Sequence, residues 1–183
     1  YEARGPDDWV RHLLGQKSPS EVGAAALDVD GDGWIDLVCG GGWYRNPRAP
    51  REKPFERLAF DNVPKVHDVV LADLDGDGRP DVLTQSDRNN VRWYRVPKEP
   101  AQPWERHDIG PSVHAGLAAG DLDGDGDLDV VRSGSWFENK DGKGTVWVEH
   151  ATLPFSIPSK SMPHSSRCVV IDIDRDGDKD LVM

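Results

Sequence analysis

A nine-residue phrase, Asp-x-Asp-x-Asp-Gly-x-x-Asp, is written four times in these 183 residues, and it leaves the chain few ways to fold. The copies occupy residues 28–36, 73–81, 121–129 and 172–180. Their first aspartates stand 45, 48 and 51 residues apart. A repeat near this length that contains about four short strands is the signature of a β-propeller blade.

The phrase also states what the loop holds. Positions 1, 3 and 5 turn carboxylates to one side of a tight curl. Position 7 offers a backbone carbonyl, and position 9 adds a fourth carboxylate. The ligand set is Asp28, Asp30, Asp32, Trp34 and Asp36 in the first copy and Asp73, Asp75, Asp77, Arg79 and Asp81 in the second. It is Asp121, Asp123, Asp125, Asp127 and Asp129 in the third, and Asp172, Asp174, Asp176, Asp178 and Asp180 in the fourth. Trp34 and Arg79 serve through their carbonyls. An all-oxygen shell of six or seven ligands suits Ca²⁺ better than Mg²⁺, and the loops lack the His or Cys that zinc and copper favour. Up to four Ca²⁺ ions are expected. The loops hold 18 of the 33 acidic residues, so four ions would carry the formal charge from −11 to about −3.

Glycine at position 6 (Gly33, Gly78, Gly126, Gly177) permits the turn that folds the later ligands back. Position 4 is glycine in three copies and Arg175 in the last; if it needs a positive φ, the fourth loop is strained and its site is expected to be the weakest or the most altered. An EF-hand would need Glu at position 12 and helices on both sides. Position 12 is Cys39, Thr84, Arg132 and Met183, and the flanks are short apolar runs bounded by turn residues. Such runs read as buried strands, so the loop joins two strands.

Further along each repeat comes an aromatic phrase at 42–46, 92–96 and 135–139, then an alternating strand at 55–58, 104–109 and 147–150. Residues 9–14 match that last strand and read as the outer strand closing a ring. The Asp-rich loop, its strand flanks and the Trp-Tyr/Phe-x-Asn phrase resemble FG-GAP/VCBS repeats, found in the integrin α-subunit propeller and in many bacterial extracellular proteins. The resemblance covers nearly the whole chain and implies an all-β, calcium-stabilised propeller of four-stranded blades, usually seven. About 3.5 blades are expected within 1–183: blade 1 at 22–60, blade 2 at 67–109, blade 3 at 114–150 and a partial blade 4 at 167–183. The rest of the ring, or self-association with another copy, would cover the open edge.

The acidic balance argues against nucleic acid, and no apolar stretch is long enough to span a membrane. Calcium loops fit an extracytoplasmic setting: secreted, periplasmic or cell-surface. Cys39 and Cys168 fall in distant blades and read as two small buried thiols.

The aspartates are spent on the scaffold, so function is sought on the blade-to-blade connections. His67, His114 and His164 stand six to eight residues before a first calcium ligand, with Asp68 beside His67. They are candidate bases or metal ligands of a channel-mouth site, against the alternative that a turn-closing residue is copied between blades. Two functions follow. One is an extracellular propeller segment presenting loops to a protein or carbohydrate. The other is part of a propeller enzyme acting on carbohydrate, of polysaccharide lyase or sugar dehydratase type, as some related bacterial and fungal propellers are. His12, His107 and His150 recur in the outer strand and are read as strand contacts. Trp43, Trp93 and Trp136 recur once per blade and are read as interblade packing.

Overall fold

The computed structural model describes residues 2–11, 13–14, 23–62, 66–86, 89–151 and 167–183. Among these the chain is all β, with no helix. Unit 1 comprises β3 (Ala25–Leu27), β4 (Asp36–Cys39), β5 (Gly42–Arg45) and β6 (Glu56–Ala59). Unit 2 comprises β7 (Val66–Ala72), β8 (Asp81–Ser86), β9 (Asn90–Arg95) and β10 (Glu105–Pro111). Unit 3 comprises β11 (Leu117–Gly120), β12 (Asp129–Arg132), β13 (Ser135–Asn139) and β14 (Trp147–His150). Each is a four-stranded antiparallel meander, as a propeller blade is. Unit 4 supplies β15 (Val169–Ile171) and β16 (Asp180–Val182). No helix of the described residues is long and apolar enough to cross a membrane.

The first strands of successive units touch one another, β3 to β7, β7 to β11 and β11 to β15. The core lies between sheets. Val38 and Trp43 of unit 1 pack with Val82, Tyr94 and Trp104 of unit 2. Leu83 and Trp93 of unit 2 pack with Leu117, Val130 and Phe137 of unit 3. Covered on both faces, β8 is buried along its whole length, including the polar Asp81, Thr84, Gln85 and Ser86; its apolar side chains are Val82 and Leu83. Each such side chain contributes about 1.5–3 kcal/mol.

The repeated tryptophans lock these interfaces in one pattern. Trp43 Nε1 of unit 1 and Trp104 Nε1 of unit 2 donate to the same Pro100 carbonyl, at 3.3 and 3.0 Å. Trp93 of unit 2 and Trp147 of unit 3 share the Gly144 carbonyl, both at 2.9 Å. Gly144 sits at φ +67°, and a Cβ there would meet the Trp93 ring at 2.8 Å, so the close approach requires glycine. The interblade reading of these rings therefore holds for Trp43 and Trp93, both fully buried. Trp136 is half-buried, packs on the Ala118, Val131 and Cys168 cluster between units 3 and 4, and stacks on His150 at 4.4 Å, so the reading extends to it. His107 stacks on Trp93 at 4.1 Å, so His107 and His150 are strand contacts as expected, and His12 lies outside the described residues.

Two details differ from the sequence reading. The strand expected at 9–14 runs over β2 (Asp8–Val10) and forms a hairpin with β1 (Glu2–Gly5). Ala3 faces Trp9 as Asn139 faces Trp147, so the pair has the form of the third and fourth strands of a unit. The Pro6-Asp7 turn folds β1 back, a local signal the repeat comparison passed over. Of the two free thiols, Cys168 is buried but Cys39 only half-buried at a strand end.

Candidate metal centre

The four loops join the first and second strands of their units and share one internal bonding scheme. The position 1 carboxylate accepts the position 6 amide: Gly33 to Asp28 at 2.8 Å, Gly78 to Asp73 at 2.8 Å, Gly126 to Asp121 at 3.2 Å and Gly177 to Asp172 at 3.2 Å. The position 5 carboxylate accepts the amide of position 7, that of Trp34, Arg79, Asp127 or Asp178. Position 9 reaches back to the amide of position 2: Val29 to Asp36 at 3.0 Å, Leu74 to Asp81 at 3.0 Å, Leu122 to Asp129 at 2.8 Å and Ile173 to Asp180 at 2.9 Å.

Position 9 thus has a structural duty that spacing alone did not reveal. In units 1 and 3 its other oxygen takes the amide of Asn46 or Asn139, at 2.7 and 3.0 Å. The asparagine side chains donate to the Ile35 and Leu128 carbonyls. This is the physical content of the Trp-Tyr/Phe-x-Asn phrase: its asparagine ties the third strand to the loop. Asn139 also donates to Leu74 in the loop of unit 2.

Carboxylates converge in every loop. Asp28, Asp30 and Asp32 offer oxygens within 4.8 Å of one another, as do Asp73, Asp75 and Asp81, Asp121, Asp123 and Asp129, and Asp172, Asp174 and Asp180. Position 5 joins its neighbours in loop 1, and position 9 does so in the other three. Asp77, Asp125 and Asp176 stand outside these tightest sets, bonded to the position 7 amides. Trp34 is exposed, with only its carbonyl available as a donor. The residues fit Ca²⁺: the donors are all oxygen, and buried Asp30 Oδ1, Asp127 Oδ1 and Asp172 Oδ1 have no protein partner among the described residues. A bound ion would neutralise the clustered charge and tie the two strands of each loop together.

Without a cation Asp81 and Asp127 resist ionising. Burial first, then Asp75, Asp77 and Asp73, push the Asp81 carboxyl up to about 7 against the Leu74 amide. Burial, then four neighbouring carboxylates, push Asp127 up to about 6. An acid whose folded pKa lies above its unfolded value binds its proton more tightly when folded. Its stabilising effect is complete below about pH 4 and is lost as pH rises through 6 and 7. Urea unfolding in chelator should therefore show lower stability at pH 8 than at pH 5, the Asp81 slope approaching about 1.4 kcal/mol per pH unit. Saturating calcium should remove that fall.

Position 4 takes a left-handed backbone in every loop: Gly31 at φ 70°, Gly76 at 71°, Gly124 at 78° and Arg175 at 65°. The strain expected at Arg175 is present, at about 1–2 kcal/mol for a side chain in this region. Arg175→Gly should raise the calcium-loaded melting temperature slightly, by about 1 kcal/mol of stability after the extra chain entropy of glycine. The converse Gly124→Arg in loop 3 should lower it; thermal melts of both check this.

A profile of the FG-GAP-like repeat matches residues 28–84 and 73–131, together more than half the chain. The chain belongs to the FG-GAP-like repeat family. Each matched segment starts at the first ligand of one loop and runs into the strand after the next. The FG-GAP-like repeat is thus defined here by the loop and the sheet pairing on either side of it. Among curated proteins no match was found.

The second candidate cluster lies at the opposite ends of the first strands. A bulge in β7 falls at His67, between the Val66–Ser86 and Asp68–Gln85 pairs. The extra residue re-aims the side chain. The His67 and His114 rings meet at 4.1 Å, so two of the three rim histidines converge. His164 lies outside the described residues. Asp68 is committed elsewhere. Its Oδ2 accepts the Gly116 amide at 2.9 Å and its Oδ1 accepts a hydrogen bond from Arg167 NH1. One buried carboxylate thereby clasps units 2, 3 and 4, which makes Asp68 a positioning group more than a proton carrier.

Proposed function

We propose that this FG-GAP-like chain is a segment of a calcium-stabilised, extracytoplasmic β-propeller that presents its connecting loops to a protein or carbohydrate. The observation that carries this reading is the amide-to-carboxylate scheme that the four loops share. Their carboxylates converge and are held by the loop's own amides, a scheme that organises a scaffold. The environment that keeps such loops filled is one rich in calcium. A ring of about seven units would accommodate the face-to-face packing, with other units or another copy against the open edge of unit 4. Binding of the 183-residue chain to arrays of neutral and acidic glycans, with calcium and with chelator, tests this. Calcium-dependent binding supports the reading; stability and binding that ignore chelation overturn it.

The His67–His114 contact favours a second reading, a carbohydrate-active propeller enzyme of lyase or dehydratase type working at the channel mouth. Acid–base work needs two titratable groups within reach of one substrate. Formation of unsaturated sugar product, lost in His67→Ala and His114→Ala variants whose melting is unchanged, would establish it. Activity that survives both substitutions would remove it.

A further inference from the structure

The loops are alike in their aspartates but not in the side chain that leans on them. The third strand of each unit carries a charged residue two places after its tryptophan: Arg45 in unit 1, Arg95 in unit 2, Glu138 in unit 3. In units 1 and 2 this residue contacts the position 3 ligand. Arg45 Nε lies 3.0 Å from Asp30 Oδ2, and Arg95 Nε lies 2.6 Å from Asp75 Oδ2. Each guanidinium also sits over its own strand's tryptophan, at 5.1 and 5.9 Å from the ring centre, and reaches Glu56 or Glu105 at 3.7 Å. The arginines are therefore held in place. A second arginine leans on position 5: Arg48 on Asp32 at 2.8 Å and Arg79 on Asp77 at 3.0 Å.

Unit 3 has the opposite sign. Glu138 is buried and within electrostatic reach of the position 3 carboxylate of Asp123, like charge against like charge. It is held by Lys140 and by His150 Nε2, the latter at 2.7 Å. Loops 1 and 2 thus each set four aspartates and the glutamate paired with Arg45 or Arg95 against two arginines, whereas loop 3 sets five aspartates and Glu138 against Lys140 and, when it is protonated, His150. Charge count at the ligands is a main determinant of calcium affinity in such loops. Arg95 also hydrogen-bonds its ligand oxygen and so occupies a lone pair that the ion would use, whereas Arg45 Nε makes an ion pair with Asp30 and no hydrogen bond.

We propose that the residue two places after the third-strand tryptophan sets the order of filling among loops 1 to 3, so that loop 3 takes calcium before loops 1 and 2. Arg45 and Arg95 act as resident cations that keep loops 1 and 2 shaped when calcium is scarce; Glu138 leaves loop 3 dependent on the ion. This rests on the calcium reading above.

The amides of Gly33, Gly78 and Gly126 report the three loops separately, because each donates to its own position 1 aspartate. Calcium titration of the labelled 183-residue chain by NMR should move Gly126 at a concentration at least about tenfold below Gly33 and Gly78. Arg95→Glu should lower the Gly78 midpoint by about tenfold, and Glu138→Arg should raise that of Gly126 as much. The milder Arg95→Gln and Glu138→Gln should shift the same midpoints in the same directions, with the other glycines as internal controls of folding. Equal midpoints, or Gly126 moving last, overturn the inference while leaving calcium binding intact. No movement of any glycine up to about 10 mM overturns the calcium reading and this inference with it.

Discussion

Chelating calcium from the loaded protein is expected to lower its melting temperature by roughly 5–10 °C for each loop emptied. The figure follows from linkage. An ion that binds only the folded state, at a hundredfold excess over Kd, stabilises by about 2.7 kcal/mol per site. For a chain of this length each kcal/mol moves the midpoint by about 2–4 °C. The structure explains the link to folding. Each loop joins the first two strands of a unit, and in loops 2, 3 and 4 the converging set includes position 9, the first residue of the second strand. Differential scanning calorimetry with calcium, with chelator, and with calcium restored checks the size and the reversibility.

Trp93→Ala is expected to be the most damaging single substitution, costing about 3–5 kcal/mol. Trp93 is fully buried in the cluster between units 2 and 3, and its indole bonds the Gly144 carbonyl. Total stabilities of such domains are about 5–15 kcal/mol, so this is a third or more of the whole. Trp93→Phe should cost less, since it keeps most of the buried area and gives up one hydrogen bond of about 1 kcal/mol. Trp136→Ala, at the matching but half-buried position in unit 3, should cost less than Trp93→Ala. Urea denaturation of the three variants measures the ranking. Equal costs at 93 and 136 would mean that interblade burial does not set the stability.

The repeat made the sheets legible. An Asp-Gly loop at a fixed interval, with apolar runs on each side, places the first two strands of a unit, and the recurrent tryptophan places the third. Contacts between units were not legible. Nothing local marks the Pro100 and Gly144 carbonyls as shared acceptors, or Asp68 as a clasp to Gly116 and Arg167, because their partners are tens of residues away. The ligand positions were readable, but their inequality was not. Arg45, Arg95 and Glu138 look like ordinary exposed-strand charges until the third strand is folded against the loop. Comparing the same place across the three aromatic phrases, Arg, Arg and then Glu, is the signal that points to it. The rim histidines were found by the same means, and the bulge that turns His67 towards His114 is a register event that spacing does not encode.

Counting the ions bound per chain is the most direct check on the claim that these loops are calcium sites built into the scaffold. Calorimetric titration of the chelator-stripped protein should show at least three calcium ions bound per chain, and up to four, with Mg²⁺ competing poorly for an all-oxygen shell of six or seven ligands. A stoichiometry of zero or one, or Mg²⁺ displacing calcium at equal concentration, would contradict the account.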